Sequence, residues 1–190
     1  MSENKKSGSA VFMYLVIAAC VAICALCFIL HYAKIYESSV ILWTGVTTFT
    51  IMYHFWLRII MGNVTKLFGI RYTHDWFRER PFEKKLYKLL RVRKWKEKVL
   101  TYDPASFDVQ KHTLQEIATT MAKSETDHWI NQLISISTLT FALLWGQLWI
   151  FALTAVLAML FDAQFIIVQR YNRPKVLKLI ERRRQRGLEA

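Results

Sequence analysis

Glycine and proline are scarce in this chain of 190 residues, with 6 and 3 copies, and acidic residues are outnumbered, 14 Asp and Glu against 26 Lys and Arg. The glycines form no phosphate-cradling loop, and no serine sits in a nucleophile elbow. Phosphate-loop chemistry and a serine acyl-enzyme of that type are therefore excluded. Cysteine occurs only at Cys20, Cys24 and Cys27, within one apolar segment and roughly along one helix side. That placement offers neither a disulfide framework nor zinc spacing, so the three read as small hydrophobic side chains. The shortage of acid leaves a formal charge of +12. Because the basic residues flank apolar segments, the expected partner is anionic lipid, and nucleic acid is not expected.

What the chain has in quantity is apolar surface: 54% hydrophobic residues, with 7 Trp, 8 Tyr and 12 Phe. That exceeds the usual content of a soluble domain and predicts an all-α polytopic membrane protein. Residues 10–30 are long enough for a first span. Ile17-Ala-Ala-Cys20 resembles a lipoprotein cleavage box, but the apolar run continues to Leu30, which predicts an uncleaved anchor. Residues 40–60 give a second span carrying His54 and Arg58 on one face, with His54 a candidate functional residue about one turn deeper.

Residues 61–128 are hydrophilic and rich in Lys and Arg, the mark of a cytoplasmic region. Within them residues 82–100 repeat apolar side chains at helical spacing, predicting a basic amphipathic helix ended by a turn at Thr101-Tyr-Asp-Pro104. Residues 130–168 are apolar and broken only at Trp145-Gly146-Gln147, so spans three and four are expected as an antiparallel hairpin. Asp162 and Gln164 should then face the bundle. The expected organisation is a two-span hairpin over 1–60, a basic interfacial region over 61–128, a second hairpin over 129–169 and a basic tail over 170–190. Both termini are expected in the cytoplasm.

The chemistry is expected where the hydrophilic region meets the third span. Thr113-Leu-Gln-Glu116 reads as a capping box opening a long helix. On that helix Leu114, Ile117, Ala118, Met121, Glu125 and His128 share about a third of the circumference, which puts two ionisable groups on an apolar stripe. A histidine three residues from a carboxylate can be oriented by it and act as a general base on a hydroxyl. Glu-x-x-His is also half of a di-iron motif, but no second copy exists, so no metal site is expected. His74-Asp-Trp-Phe-Arg-Glu79 approaches the spacing of glycerolipid acyltransferases with Glu in place of Asp. Two cationic clusters, one with Arg93, Lys94 and Lys96 and one with Arg170, Asn172 and Arg173, could hold a pyrophosphate or carboxylate.

Three stretches carry a family resemblance: Val92-Arg-Lys-Trp-Lys-Glu-Lys-Val-Leu100, Glu125-Thr-Asp-His-Trp-Ile130 and Ile166-Ile-Val-Gln-Arg-Tyr-Asn-Arg-Pro174. In these the sequence resembles the glycosyl-4,4'-diaponeurosporenoate acyltransferases, the last enzymes of a bacterial carotenoid pathway. The resemblance implies esterification of a glucose hydroxyl on a glycosylated lipid by a fatty acyl group at a bacterial cell membrane. The resulting expectation has His128 as general base, Glu125 fixing its tautomer, and the two cationic clusters holding the donor head and the developing oxyanion. Acyl-CoA serves as co-substrate, with no cofactor, at the cytoplasmic leaflet. The alternative is a non-catalytic membrane adaptor whose basic surfaces bind anionic lipid or an acidic partner.

Overall fold

The computed structural model describes residues 8–99 and 104–187, with side chains from residue 11. The basic arm before Gly8 and the turn expected at Thr101–Asp103 lie outside those residues. Helices and short 3-10 turns make up the described chain, with no strand among the described residues. Contacts divide it into two units, Met1–Met61 and Gly62–Ala190.

The first unit is a hairpin of α1 (Gly8–Tyr32) and most of α2 (Ser39–Val64). Cys20, Cys24 and Cys27 are buried, as small apolar side chains in a helix contact would be. Gly45 is needed there, because a Cβ at that position would stand 2.8 Å from the Phe28 ring. The threonines of α2 pose no desolvation problem. Thr44 and Thr50 each donate at 2.8 Å to the carbonyl one turn back, on Val40 and Val46.

The second unit is built on α5 (Leu114–Ser137) and α7 (Leu148–Gln185), packed side by side and antiparallel. The capping box is formed: Glu116 N donates to Thr113 Oγ1 at 3.2 Å, and Thr113 N donates to Glu116 Oε2 at 2.8 Å. The stripe through Leu114, Ile117, Ala118, Met121 and Glu125 is buried. Beyond Ser137 the helical path tightens into a 3-10 turn, Thr138–Phe141, and closes with α6 (Ala142–Trp145). The corner is made by two left-handed residues, Gly146 at φ 70° and Gln147 at φ 54°. Glycine adopts that conformation without steric cost, and the Gln147 side chain accepts from Trp149 Nε1 at 2.8 Å.

One expected element is divided. In place of a single amphipathic helix over residues 82–100 there are α3 (Glu83–Leu89), α4 (Val92–Trp95) and a 3-10 turn, Lys96–Lys98. Arg91 adopts φ 50°, a left-handed conformation that no α-helix can continue through. The break buries Val92 completely and lets Trp95 Nε1 reach back to the Leu90 carbonyl at 2.8 Å.

Among the described residues, three helices are long and apolar enough to cross a membrane: Val11–Tyr32, Ser39–Leu67 and Leu148–Gln185. The second helix of the expected C-terminal hairpin is among them. The first is not: in α5 Lys123, Glu125 and Asp127 precede the apolar part, and regular helix stops at Ser137. At about 1.5 Å per residue, the 38 residues of α7 run about 57 Å, well beyond the ~30 Å of a hydrocarbon core.

Candidate active site

Charge is concentrated where α5 and α7 meet the segment before α3. Glu125 of α5 is wholly buried, and both its oxygens are taken by arginines of α7. Arg170 Nη1 donates to Oε1 at 2.6 Å, and Arg173 Nη2 donates to Oε2. Arg170 also reaches Glu83 of α3, with Nε at 2.9 Å and Nη2 at 2.6 Å from Oε1. Its remaining hydrogens go to the carbonyls of Trp76 and Arg78. Arg173 is itself buried, donates to the Phe77 carbonyl at 3.0 Å and lies 4.9 Å above the Phe77 ring. Tyr87 closes the network by donating to Glu83 Oε2 at 2.6 Å. Burial, with Glu83 as hydrogen-bond acceptor, raises the Tyr87 phenol far above its ordinary value, so it remains a donor.

This alters two expectations. Glu125 does not orient His128, because two buried guanidiniums outcompete a neutral imidazole for a carboxylate withdrawn from water. Arg170 and Arg173, expected to hold the donor head, spend their charge on internal carboxylates instead. Asn172 lies half-buried between them in sequence, Arg93 and Lys94 are exposed, and Lys96 pairs with Glu97 at 3.7 Å. His74 caps a 3-10 turn by accepting from Trp76 N at 3.1 Å, while Glu79 pairs with Lys84 at 3.7 Å. His54 belongs to the first unit, in α2.

His128 has found another carboxylate. Its Nδ1 lies 2.8 Å from Oδ1 of Asp162, across the seam on α7. Asp162 is 1% exposed, and the same oxygen accepts from Asn131 Nδ2 at 3.1 Å. The imidazole stacks on Phe165, with ring centroids 4.5 Å apart and planes 4° from parallel. A carboxylate at Nδ1 selects the tautomer that carries its proton there, leaving Nε2 basic. The ring is thus fixed by a hydrogen bond on one edge and an aromatic face on the other, and its side chain keeps 20% exposure. Asp162 drew notice in the sequence only as a costly residue for lipid. Its partnership could be found only by setting α5 against α7 in register, which no spacing within one helix reveals.

The second unit also contains a cavity of about 510 Å³, walled by Trp76, Phe82, Leu86, Trp129, Ile166 and Ile167, with Glu83 and Arg170 also lining it. Trp76 and Trp129 meet edge to face at 6.0 Å. His128 is not in its wall. Two wall residues nevertheless follow the dyad by one helical turn, Gln132 after His128 and Ile166 after Asp162.

Residues 73–182, more than half of the chain, match the family described as glycosyl-4,4'-diaponeurosporenoate acyltransferase. The chain belongs to that family. The matched segment holds every residue of both the ion network and the dyad. No curated protein and no solved structure matches the chain. Family membership makes acyl transfer in carotenoid biosynthesis the activity that the geometry has to serve, and the three apolar helices make the membrane its setting.

Proposed function

We propose that the protein esterifies a sugar hydroxyl of a glycosylated, carotenoid-like lipid with a fatty acyl group, and that His128 is the general base. The observation that carries this reading is the 2.8 Å contact between His128 Nδ1 and buried Asp162, which leaves Nε2 as a positioned proton acceptor. The acceptor oxygen attacks the acyl carbonyl carbon as Nε2 takes its proton. The tetrahedral intermediate collapses with loss of the thiolate of an acyl thioester, and the imidazolium returns the proton to that sulfur. Acyl-CoA is the donor in this scheme, and no covalent acyl-enzyme is needed. Asp162 holds the imidazole and stabilises its charged form, the role that sequence spacing had suggested for Glu125. Arg93, Lys94 and Lys96 remain the candidate cations for the donor head.

The reaction face is proposed at the cytoplasmic leaflet of a bacterial membrane, with both termini on that side and α5 and its continuation completing a fourth crossing. Basic residues on α3, α4 and the end of α7 support that orientation.

The test is a membrane assay with labelled acyl-CoA and a glycosylated lipid acceptor, at equal amounts of folded protein. His128→Gln should lower turnover by about 10²–10⁴-fold, the range of a general base, and Asp162→Asn should lower it less and shift its pH dependence. Turnover unchanged in His128→Gln would remove the base from this position.

A further inference from the structure

The cavity beside Trp76 and Trp129 plays no part in the proton transfer just described. Its 510 Å³ falls within the usual span of small-molecule sites, about 300–1,000 Å³, and its wall is almost wholly aromatic and aliphatic. The wall's Glu83, Arg170 and Gln132 have hydrogen bonds made already: Glu83 with Arg170 and Tyr87, Arg170 with two carboxylates and two carbonyls, and Gln132 with the Met159 carbonyl. An occupant therefore gains from that part of the wall mainly through apolar contact. Arg80 lies in the wall, and α3 turns Phe82, Leu86 and Tyr87 into the cavity while leaving Lys84, Lys85 and Lys88 exposed on its other side. An apolar slot with an exposed arginine in its wall fits a chain whose head is anionic, and a neutral sugar head gains nothing from that charge.

We propose that this cavity seats the fatty acyl chain of the donor, and that Arg80 joins Arg93, Lys94 and Lys96 in holding the phosphates of its carrier group. The assignment rests on the transferase reading, because it names the substrate that the cavity serves. It also places the acyl chain near the base, because wall residues Gln132 and Ile166 are each one helical turn from the dyad.

The experiment is photolabelling of the full chain in lipid nanodiscs, with labelled peptides mapped by mass spectrometry. Three probes carry a diazirine in the chain: a fatty acyl-CoA, an alkyl glucoside and a phosphatidylcholine. The acyl-CoA probe should label the segments holding Trp76, Phe82 and Trp129, and unlabelled acyl-CoA should compete it away. Ala163→Phe, which narrows the cavity, should weaken that labelling about tenfold. Should that variant fold poorly, the exposed change Arg80→Gln should weaken labelling by acyl-CoA and leave the glucoside unaffected. Labelling of these segments by phosphatidylcholine that acyl-CoA does not displace would overturn the proposal, leaving a groove for bulk lipid. Preferential labelling by the glucoside would overturn the choice of donor over acceptor. His128→Gln should slow transfer to the extent given above and keep the label, so loss of the base assignment and loss of the chain site are separate results.

Discussion

Glu125 and Asp162 are both carboxylates removed from solvent, yet their surroundings give them opposite duties. Glu125 faces two arginines and is an ionic anchor, whereas Asp162 faces a histidine and an amide and can manage a proton. Removing the charge at Glu125 leaves two buried guanidiniums short of a partner. Glu125→Gln should therefore destabilise the protein by about 3–5 kcal/mol, seen as a lower melting temperature in detergent and a lower yield of folded protein. His128→Gln, at a partly exposed side chain, should leave melting nearly unchanged while slowing turnover. A matched loss of folded protein in both variants would contradict this division of labour. The sequence showed that Glu125 and His128 share a helix stripe, which is true, but a shared stripe does not mean a shared hydrogen bond. Both side chains turn across the seam to α7, where Arg170, Arg173 and Asp162 are much stronger partners than they are for each other.

Helices α5 and α7, joined by the corner at Gly146 and Gln147, were legible because their signals are local: a capping box, an apolar stripe and a single glycine break. The division between α3 and α4 was not, because Arg91 carries no mark of the left-handed conformation that it adopts, and burial of Val92 rewards the break only in the folded unit. A tie between elements that sequence could not supply is Asp127 of α5, whose Oδ1 accepts from Thr65 at 2.5 Å. Burial raises the Asp127 carboxyl above its ordinary value, outweighing the opposing hydrogen bond from Thr65. The folded chain thus binds this proton more tightly than the unfolded chain does. Asp127 therefore costs nothing at acid pH, and stability falls as pH climbs from the ordinary carboxylate value of 3.8 through the raised one. Asp127→Asn keeps an acceptor for Thr65 and removes that fall. Its melting temperature should exceed wild type at neutral pH, with the gap closing as the buffer is acidified; a constant gap would place the effect elsewhere.

Across the whole molecule the paired apolar helices of the first unit and the long α7 commit the chain to a membrane, while α5 brings ionisable groups to the level at which its apolar part begins. If α5 and its continuation complete a fourth crossing, the corner at Gly146 and Gln147 emerges on the side opposite the basic segments. With Cys20, Cys24 and Cys27 replaced by alanine, Gln147→Cys should react with an impermeant maleimide added to intact cells. Lys111→Cys should react only after permeabilisation, and reaction of both from one side would reduce the count to three. The seam between α5 and α7 has a further consequence, because the dyad and the cavity wall are made of different side chains. Neither reactant has to depart before its counterpart can arrive, so the order of encounter is free. Initial-rate lines for one substrate at several fixed levels of the other should intersect, where a chain relaying the acyl group through its own side chain would give parallel ones.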